Sequence, residues 1–355
     1  TGMLALSLGQ LGIGQANVWW PLFQAAVEQS GRWAPLTLSN FIYAAGQASV
    51  TAAFEQEGGE YQQLRVDAMD ALSAAVNESV TGFTSVMMTK TLTGYVLLGE
   101  HFPASMFSSV LGQYIQTEDA TKIYKKRTRA MSRVMFSALL EQPHLLEKVP
   151  RWQHVAMEKY VMPWEFRIER RFHPRLARLV EGINGASIKI LAKKGPYHAD
   201  MKFSINSGPM KGTRVAIDFL DEKELCLLTG QPLGEKSAKG RHIQSMGWEY
   251  EIVRRDHFFK MSAMEQRSAI CDILRAYEVH VDESLLPPLT DLTIDEEEQF
   301  PKLQTTCPAT GKITWRSRKD LRVDWNEPIM SEQALANSQP DEDAEVAAIG
   351  HPTPS

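Results

Sequence analysis

Apolar positions in the first half of the chain recur at helical spacing. Leu4, Leu6, Leu8, Leu11 and Ile13 run to Gly14, and Leu36, Leu38, Phe41, Ile42 and Ala45 run to Gly46. Val86, Met87, Leu92, Tyr95, Val96 and Leu98 run to Gly99, and Met131, Val134, Met135, Ala138 and Leu139 run to Gln142-Pro143. Each is an apolar stripe near 3.6 periodicity closed by a glycine or proline stop. Each is followed by a second stripe, such as Val18, Trp19, Leu22 and Phe23, or Met106, Phe107, Val110 and Leu111. The pattern predicts helical hairpins. The stops lie 32, 53 and about 43 residues apart, lengths that suit a helical-repeat array with insertions. A non-repetitive helical bundle is the other reading. The echo of "LSLGQLGIG" (6–14) in "TLTGYVLLG" (91–99) favours stacked repeats, and residues 1–180 are expected to form an α-helical repeat-like domain.

The period then changes. "ADMKFSIN" alternates, "GTRVAIDFLD" reads as a buried strand entered through a turn, and "KELCLL" as a further strand leading to the turn Thr229-Gly230-Gln231-Pro232. A helix is predicted from Glu235 to Met246, stopped by Gly247, then a strand in "WEYEIVRRDHF" and a closing helix capped by Ser262. Residues 181–280 thus read as a small α/β sandwich. Alternation puts Trp248, Tyr250 and Ile252 on one face, expected to be core. Lys239 and Arg241 are expected on the solvent side of the preceding helix, above Ile243 and Met246. Residues 281–355 mix proline with acids and form an extended, largely irregular acidic tail that lacks a core of its own.

Charge sharpens this division. The chain of 355 residues carries a net charge of −5, but the sign is not evenly spread. Residues 1–120 hold 3 basic and 10 acidic side chains, residues 121–196 hold 17 and 6, residues 197–280 hold 12 and 12, and residues 281–355 hold 6 and 15. A positive excess confined to one short stretch marks a polyanion-facing surface. "KIYKKRTRAMSR" supplies Lys122, Lys125, Lys126, Arg127, Arg129 and Arg133. "WEFRIERRFHPRLARL" supplies Arg167, Arg170, Arg171, Arg175 and Arg178 among Trp164, Phe166 and Phe172. Cations interleaved with aromatic rings pair phosphates and stack on bases. A wet face on an amphipathic helix is the plainer alternative for each run.

Cys226, Cys271 and Cys307 stand far apart, which argues against a disulfide framework or zinc site and suits a reducing compartment. No apolar run reaches 18 residues, so no membrane span is expected. The opening Thr1-Gly2-Met3 already lies inside an apolar helical pattern with no signal peptide, and the start is read as processed or incomplete.

One stretch carries a resemblance. "RVAIDF", the "LTG" turn, then Lys239, Arg241, Ile243, Gly247 and Trp248, followed by "EYEIVRRDHF" and "ICDILRAY", resemble the RAP domain, over about residues 212 to 277. That domain closes many organellar RNA-binding proteins and typically follows α-helical repeats. The resemblance implies a restriction-endonuclease-like fold and a structural RNA-binding protein of a mitochondrial (alternatively plastid) ribonucleoprotein. Its expected partners are rRNA and the ribosomal proteins of a large assembly, with no membrane, no small-molecule substrate and no cofactor. Lys236, Lys239, Arg241, Arg254 and Arg255 join the candidate phosphate contacts. The alternative is a soluble RNA-processing or RNA-stability factor, including a metal-dependent endoribonuclease. Such a nuclease needs carboxylates at a strand end and a nearby lysine to hold a divalent metal and orient water. Asp218 and Asp221 are the residual candidates. The family's usual Asp-Gly and following His are replaced here by "DFLDEKELC", and no Asp-x-Lys or Glu-x-Lys falls on an adjacent strand, so no catalytic residue is assigned.

Reversing Lys125, Lys126, Arg127 and Arg129 to Glu is expected to weaken RNA binding and flatten its salt dependence by about one unit of slope per lost phosphate contact. A filter-binding titration with an unchanged slope would show that this run does not touch RNA.

Overall fold

The structure is a computed structural model that describes residues 2–117, 125–147, 172–195, 197–226, 229–282, 286–289, 303–306 and 313–316. Helices predominate, with one four-stranded mixed sheet. Residues 1–289 form one compact unit and residues 290–355 another. In the second unit the described residues form the antiparallel pair β5 (Leu303–Thr306) and β6 (Ile313–Arg316). The rest of residues 290–355 lies outside the described residues.

The N-terminal half of the first unit holds α1 (Gly2–Gln10), α2 (Ala16–Gln29), α3 (Pro35–Gln47), α4 (Val50–Glu57), α5 (Gly59–Ser79), α6 (Ser85–Leu98), α7 (Ala104–Thr117), α8 (Lys125–Glu141) and α9 (His144–Glu147). They pack in two rows. In one row α1 meets α3, α3 meets α6 and α6 meets α8; in the other, α2 meets α5 and α5 meets α7. Between the rows lies one core that includes Trp19, Phe23, Phe41, Phe54, Leu92, Tyr95 and Phe107. The turn into α3 recurs at α6: a 3-10 turn at Ser30–Arg32 leads through Trp33 to Pro35, and another at Val80–Gly82 leads through Phe83 to Ser85, so Ser30 and Val80 start the same device 50 residues apart. Thr84 caps α6 by accepting a hydrogen bond from Met87 N, and Gly99 ends it in the left-handed region at φ 75°.

Glycines let the first row close. A Cβ on Gly9 would stand 2.6 Å from Ala44 O, and one on Gly94 would stand 2.7 Å from the carbonyl carbon of Ile42. The two glycines that correspond in the sequence echo therefore press on α3 from either side.

The second half runs α10 (His173–Leu179), β1 (Ala186–Lys194), β2 (Tyr197–Ile205), β3 (Arg214–Leu220), α11 (Gly234–Ser245), β4 (Glu249–Arg254), α12 (Arg255–Phe258) and α13 (Ala263–Ala276). The sheet order is β1-β2-β3-β4, antiparallel except for β3 and β4, which run parallel and are joined through α11. One face packs on α11 through Tyr197, Ala199, Ala216, Ile243 and Trp248. On the opposite face Phe203 meets Tyr277 at the end of α13, and Phe219 meets Phe172 and Phe258. Ser262 caps α13 in a capping box with Glu265.

Four sequence readings change. Among the described residues of "KELCLL" no strand forms: Glu222–Glu224 form a 3-10 turn capped by Asp221, and Leu225 makes an isolated bridge to Pro232. The strand β4 stops at Arg254, because Arg255–Phe258 turn into α12. β1, in "ASIKILAKK", was not read as a strand. Finally, α10 packs against β1 and α13, so the helix ending at Leu179 belongs with the sheet although the sequence boundary fell after it.

The two glycine environments give opposite signs for one substitution. Gly94→Ala gains about 1 kcal/mol of helix propensity but sets its Cβ against the α3 backbone, and overpacking of that kind costs about 1–3 kcal/mol. Gly112→Ala, in α7 with nothing within 4 Å of the added carbon, meets no such clash. Thermal melts should show Gly94→Ala less stable than the parent and Gly112→Ala equal to it or more stable.

Candidate functional site

The β2–β3 ladder pairs Met201 with Ile217, and beyond that point two carboxylates take over the backbone donors. Asp200 N donates to Asp218 Oδ1 at 3.3 Å, and Phe219 N donates to Asp200 Oδ2 at 2.8 Å. Each acid is then closed from its own side of the sheet. His173 Nε2, at the start of α10, lies 3.0 Å from Asp200 Oδ1. From α11, Lys239 Nζ lies 2.7 Å from Asp218 Oδ2 and donates to His198 O at 2.5 Å. From β4, the Tyr250 hydroxyl donates to the same Oδ2 at 2.7 Å. Burial alone would raise the Asp218 pKa. The Lys239 and Lys236 charges, with hydrogen bonds from Lys239 and Tyr250, outweigh burial and hold it below the ordinary carboxylate range.

This cluster corrects a central expectation. Lys239 is not on the wet side of its helix; it is 2% exposed. The reason is that α11 is covered on both sides. Gly240 lies against the Tyr250 ring, Ala238 is packed in the N-terminal helical core, and a Cβ on Gly234 would stand 2.3 Å from Gly46 O. Arg241 points the other way from Lys239. It donates to Val96 O and, at 3.2 Å, to Glu141 Oε1. Ser137 donates to Glu141 Oε2 at 2.6 Å. The neighbouring His242 is fully buried, with its Nδ1 2.6 Å from the Tyr197 hydroxyl and its Nε2 3.6 Å from Glu141 Oε2, beyond hydrogen-bond reach. Burial works to raise the Glu141 pKa, and the His242, Arg241 and Ser137 groups overcome it to hold the carboxyl at about 2. Burial also lowers the His242 pKa, against the pull of Glu141.

The remaining candidate cations are placed as follows. Arg133 pairs with Glu235 at 2.9 Å, Lys236 with Glu224 at 3.4 Å, and Arg254 with Asp256 at 3.3 Å. Arg255 grips both oxygens of Asp221, at 2.8 and 3.0 Å, and lies over the Phe172 ring. Arg175 lies 5.9 Å from the centroid of Phe259. Lys122, Arg167, Arg170 and Arg171 lie outside the described residues, as do the side chains of Lys125, Lys126, Arg127 and Arg129, whose backbone begins α8. Asp221 is thus a partner of Arg255 and not a second acid beside Asp218. That second acid is Asp200, which sequence reading passed over along with His173, Glu141 and His242, while Tyr250 was expected only as core. The available signal for Asp200 was a lone acid inside an alternating strand; for Lys239 it was the small residues Ala238 and Gly240 on either side.

The divalent metal implied by the resemblance does not fit these residues. Such a cation needs open carboxylate oxygens. All four oxygens of Asp200 and Asp218 already face a nitrogen or hydroxyl partner. Among the described residues no group of three or more His, Cys, Asp or Glu side chains is placed to hold a metal. No described helix is long and apolar enough to cross a membrane. The chain matches no protein-family model and no curated protein.

Two measurements test the cluster. Lys239→Ala leaves Asp218 buried without its counter-charge and should cost about 3–5 kcal/mol in thermal or urea melts, a loss that a surface clamp would not show. The folded pKa of Glu141 lies below its ordinary 4.5, so its contribution is complete above that value and disappears as pH falls toward 2. A Glu141→Gln variant should therefore be less stable than the parent at neutral pH and approach it in acid.

Proposed function

We propose that this chain is a structural RNA-binding protein of an organellar ribonucleoprotein, in the first place a component of a mitochondrial ribosome that contacts rRNA. In this reading the two helix rows are a helical-repeat array, and residues 181–280 are a RAP domain of restriction-endonuclease-like fold. The two rows, the recurring turn before α3 and α6, and the glycines flanking α3 support the array. The order helix, three strands, helix, parallel strand supports the nuclease-like frame.

One observation carries the choice of binding over catalysis. The acid pair sits where β2 and β3 part, the place where a nuclease of this frame needs carboxylates at a strand end, and it is closed by Lys239, Tyr250 and His173. A lysine locked on Asp218 and on a backbone carbonyl orients no water, and occupied oxygens hold no metal. The frame then serves to present cations. The positive block at residues 121–196 supports RNA as the polyanion.

Endogenous protein should co-sediment with a ribosomal particle in high salt; release into the soluble fraction would favour a processing or stability factor. Purified protein should leave RNA intact in Mg²⁺ or Mn²⁺. Cleavage that is lost on Asp218→Asn or Asp200→Asn would replace the binding reading with the endoribonuclease.

A further inference from the structure

Strand β1 is an outer strand of the sheet, and its lysines do not follow simple alternation. Lys189 and Lys194 stand five positions apart, which in a regular strand puts them on opposite faces. Leu191, between them, has φ 55°, a left-handed conformation that bulky side chains rarely adopt. The alternation reverses there. Lys194 Nζ consequently lies 5.1 Å and Lys202 Nζ 4.4 Å from the centroid of the same ring, Trp248. Lys189 stands directly opposite Lys202 in the β1–β2 register, Ser187 opposite Ser204, and Arg214 of β3 opposite Ser204. One face of the sheet therefore gathers Lys189, Lys194, Lys202 and Arg214 with two serine hydroxyls.

The acids of the sheet are elsewhere. Asp200 turns to His173, and Asp218 is sealed beneath Lys239. Glu249 and Glu251 alternate with Tyr250 to the opposite side, where Glu251 accepts a hydrogen bond from Tyr277. Like charges directly across a ladder repel each other, so the Lys189–Lys202 pair disfavours the sheet by itself. The Trp248 ring beneath takes both Lys202 and Lys194 as cation–π partners. An anion laid across Lys189 and Lys202 is attracted by both charges.

We infer that this face, around Lys189, Lys194, Lys202 and Arg214, is a docking surface for the phosphate backbone of RNA. Adjacent strands lie about 4.8 Å apart and same-face residues about 6.7 Å apart along a strand, so the cations form a lattice suited to a chain of phosphates more than to a single anion. An acidic peptide would meet the same charge without an exposed apolar anchor, because Trp248 and Ala216 are buried between the cations. The inference rests on the RNA-binding reading and names cations other than those of the basic runs at residues 122–133 and 167–175.

The test uses the full chain and a mixed-sequence single-stranded RNA, with binding measured across a salt series. Lys189→Gln/Lys202→Gln/Arg214→Gln should shallow the salt slope by about two to three units, and Lys189→Gln alone, at an exposed edge position, by about one. The single variant keeps the test decisive where the triple variant melts early. Parent protein that binds RNA, with both variants keeping its slope, would overturn the surface while leaving the RNA reading standing. Parent protein that binds no RNA would overturn both. Polyglutamate that binds the parent and not the variants, with RNA affinity unchanged between them, would reassign the face to an acidic protein.

Discussion

The Lys239–Asp218 ion pair sets the terms for the second half of the first unit. Two charges removed from water are tolerated only when they face each other and their remaining valences are met. Those requirements recruit every strand but β1. Asp218 comes from β3, the Lys239 ammonium also needs the carbonyl of His198 in β2, and the second oxygen contact comes from Tyr250 in β4. The parallel crossover from β3 through α11 to β4 is the path that brings these groups to one point. Asp200 and His173 extend the same logic to the other face, so that α10 as well as α11 is tied to the acid pair.

This arrangement also separates the two kinds of cation in the chain. Lys239 and Arg241 are two residues apart on one helix and serve as internal braces in opposite directions, one into the sheet and one into the N-terminal helices. The lysines of β1 and β2 lie outside this bracing. The sheet thus spends Asp200 and Asp218 on internal partners, while Lys189 of β1 and Lys202 of β2 stand opposite each other on one face.

Legibility from sequence followed how many sides of an element are covered. The apolar stripes of α1, α2, α3, α6, α7 and α8 are found by periodicity, whereas α4 and α5 were not singled out; β3, buried on both faces, was found from its continuous apolar run. The stop at Gly247 placed α11, but its burial was not legible, because a helix between two neighbours that are met through Gly234, Ala238, Gly240 and Lys239 has no apolar stripe to read. Its charged positions looked like a wet face for the same reason. Asp200 was hidden by the alternation that identified its strand: a polar residue every second position is what a half-solvated strand shows, and only the α10 helix lying over that end makes it interior. Leu191 gives no sign of its left-handed backbone, so the gathering of Lys194 with Lys202 was not visible before the register was known.

The two-sided cover of α11 bears on how such a chain can evolve. An α/β module joined by a flexible linker can be moved from one set of helices to another. Here the last long helix of the first half must present Glu141 to Arg241, α6 must offer the Val96 carbonyl, and Gly46 must leave room for Gly234. The helical half and the sheet are therefore a matched pair. Changes of length within the helical half must therefore spare the face that meets α11, which is fixed by the lock it forms.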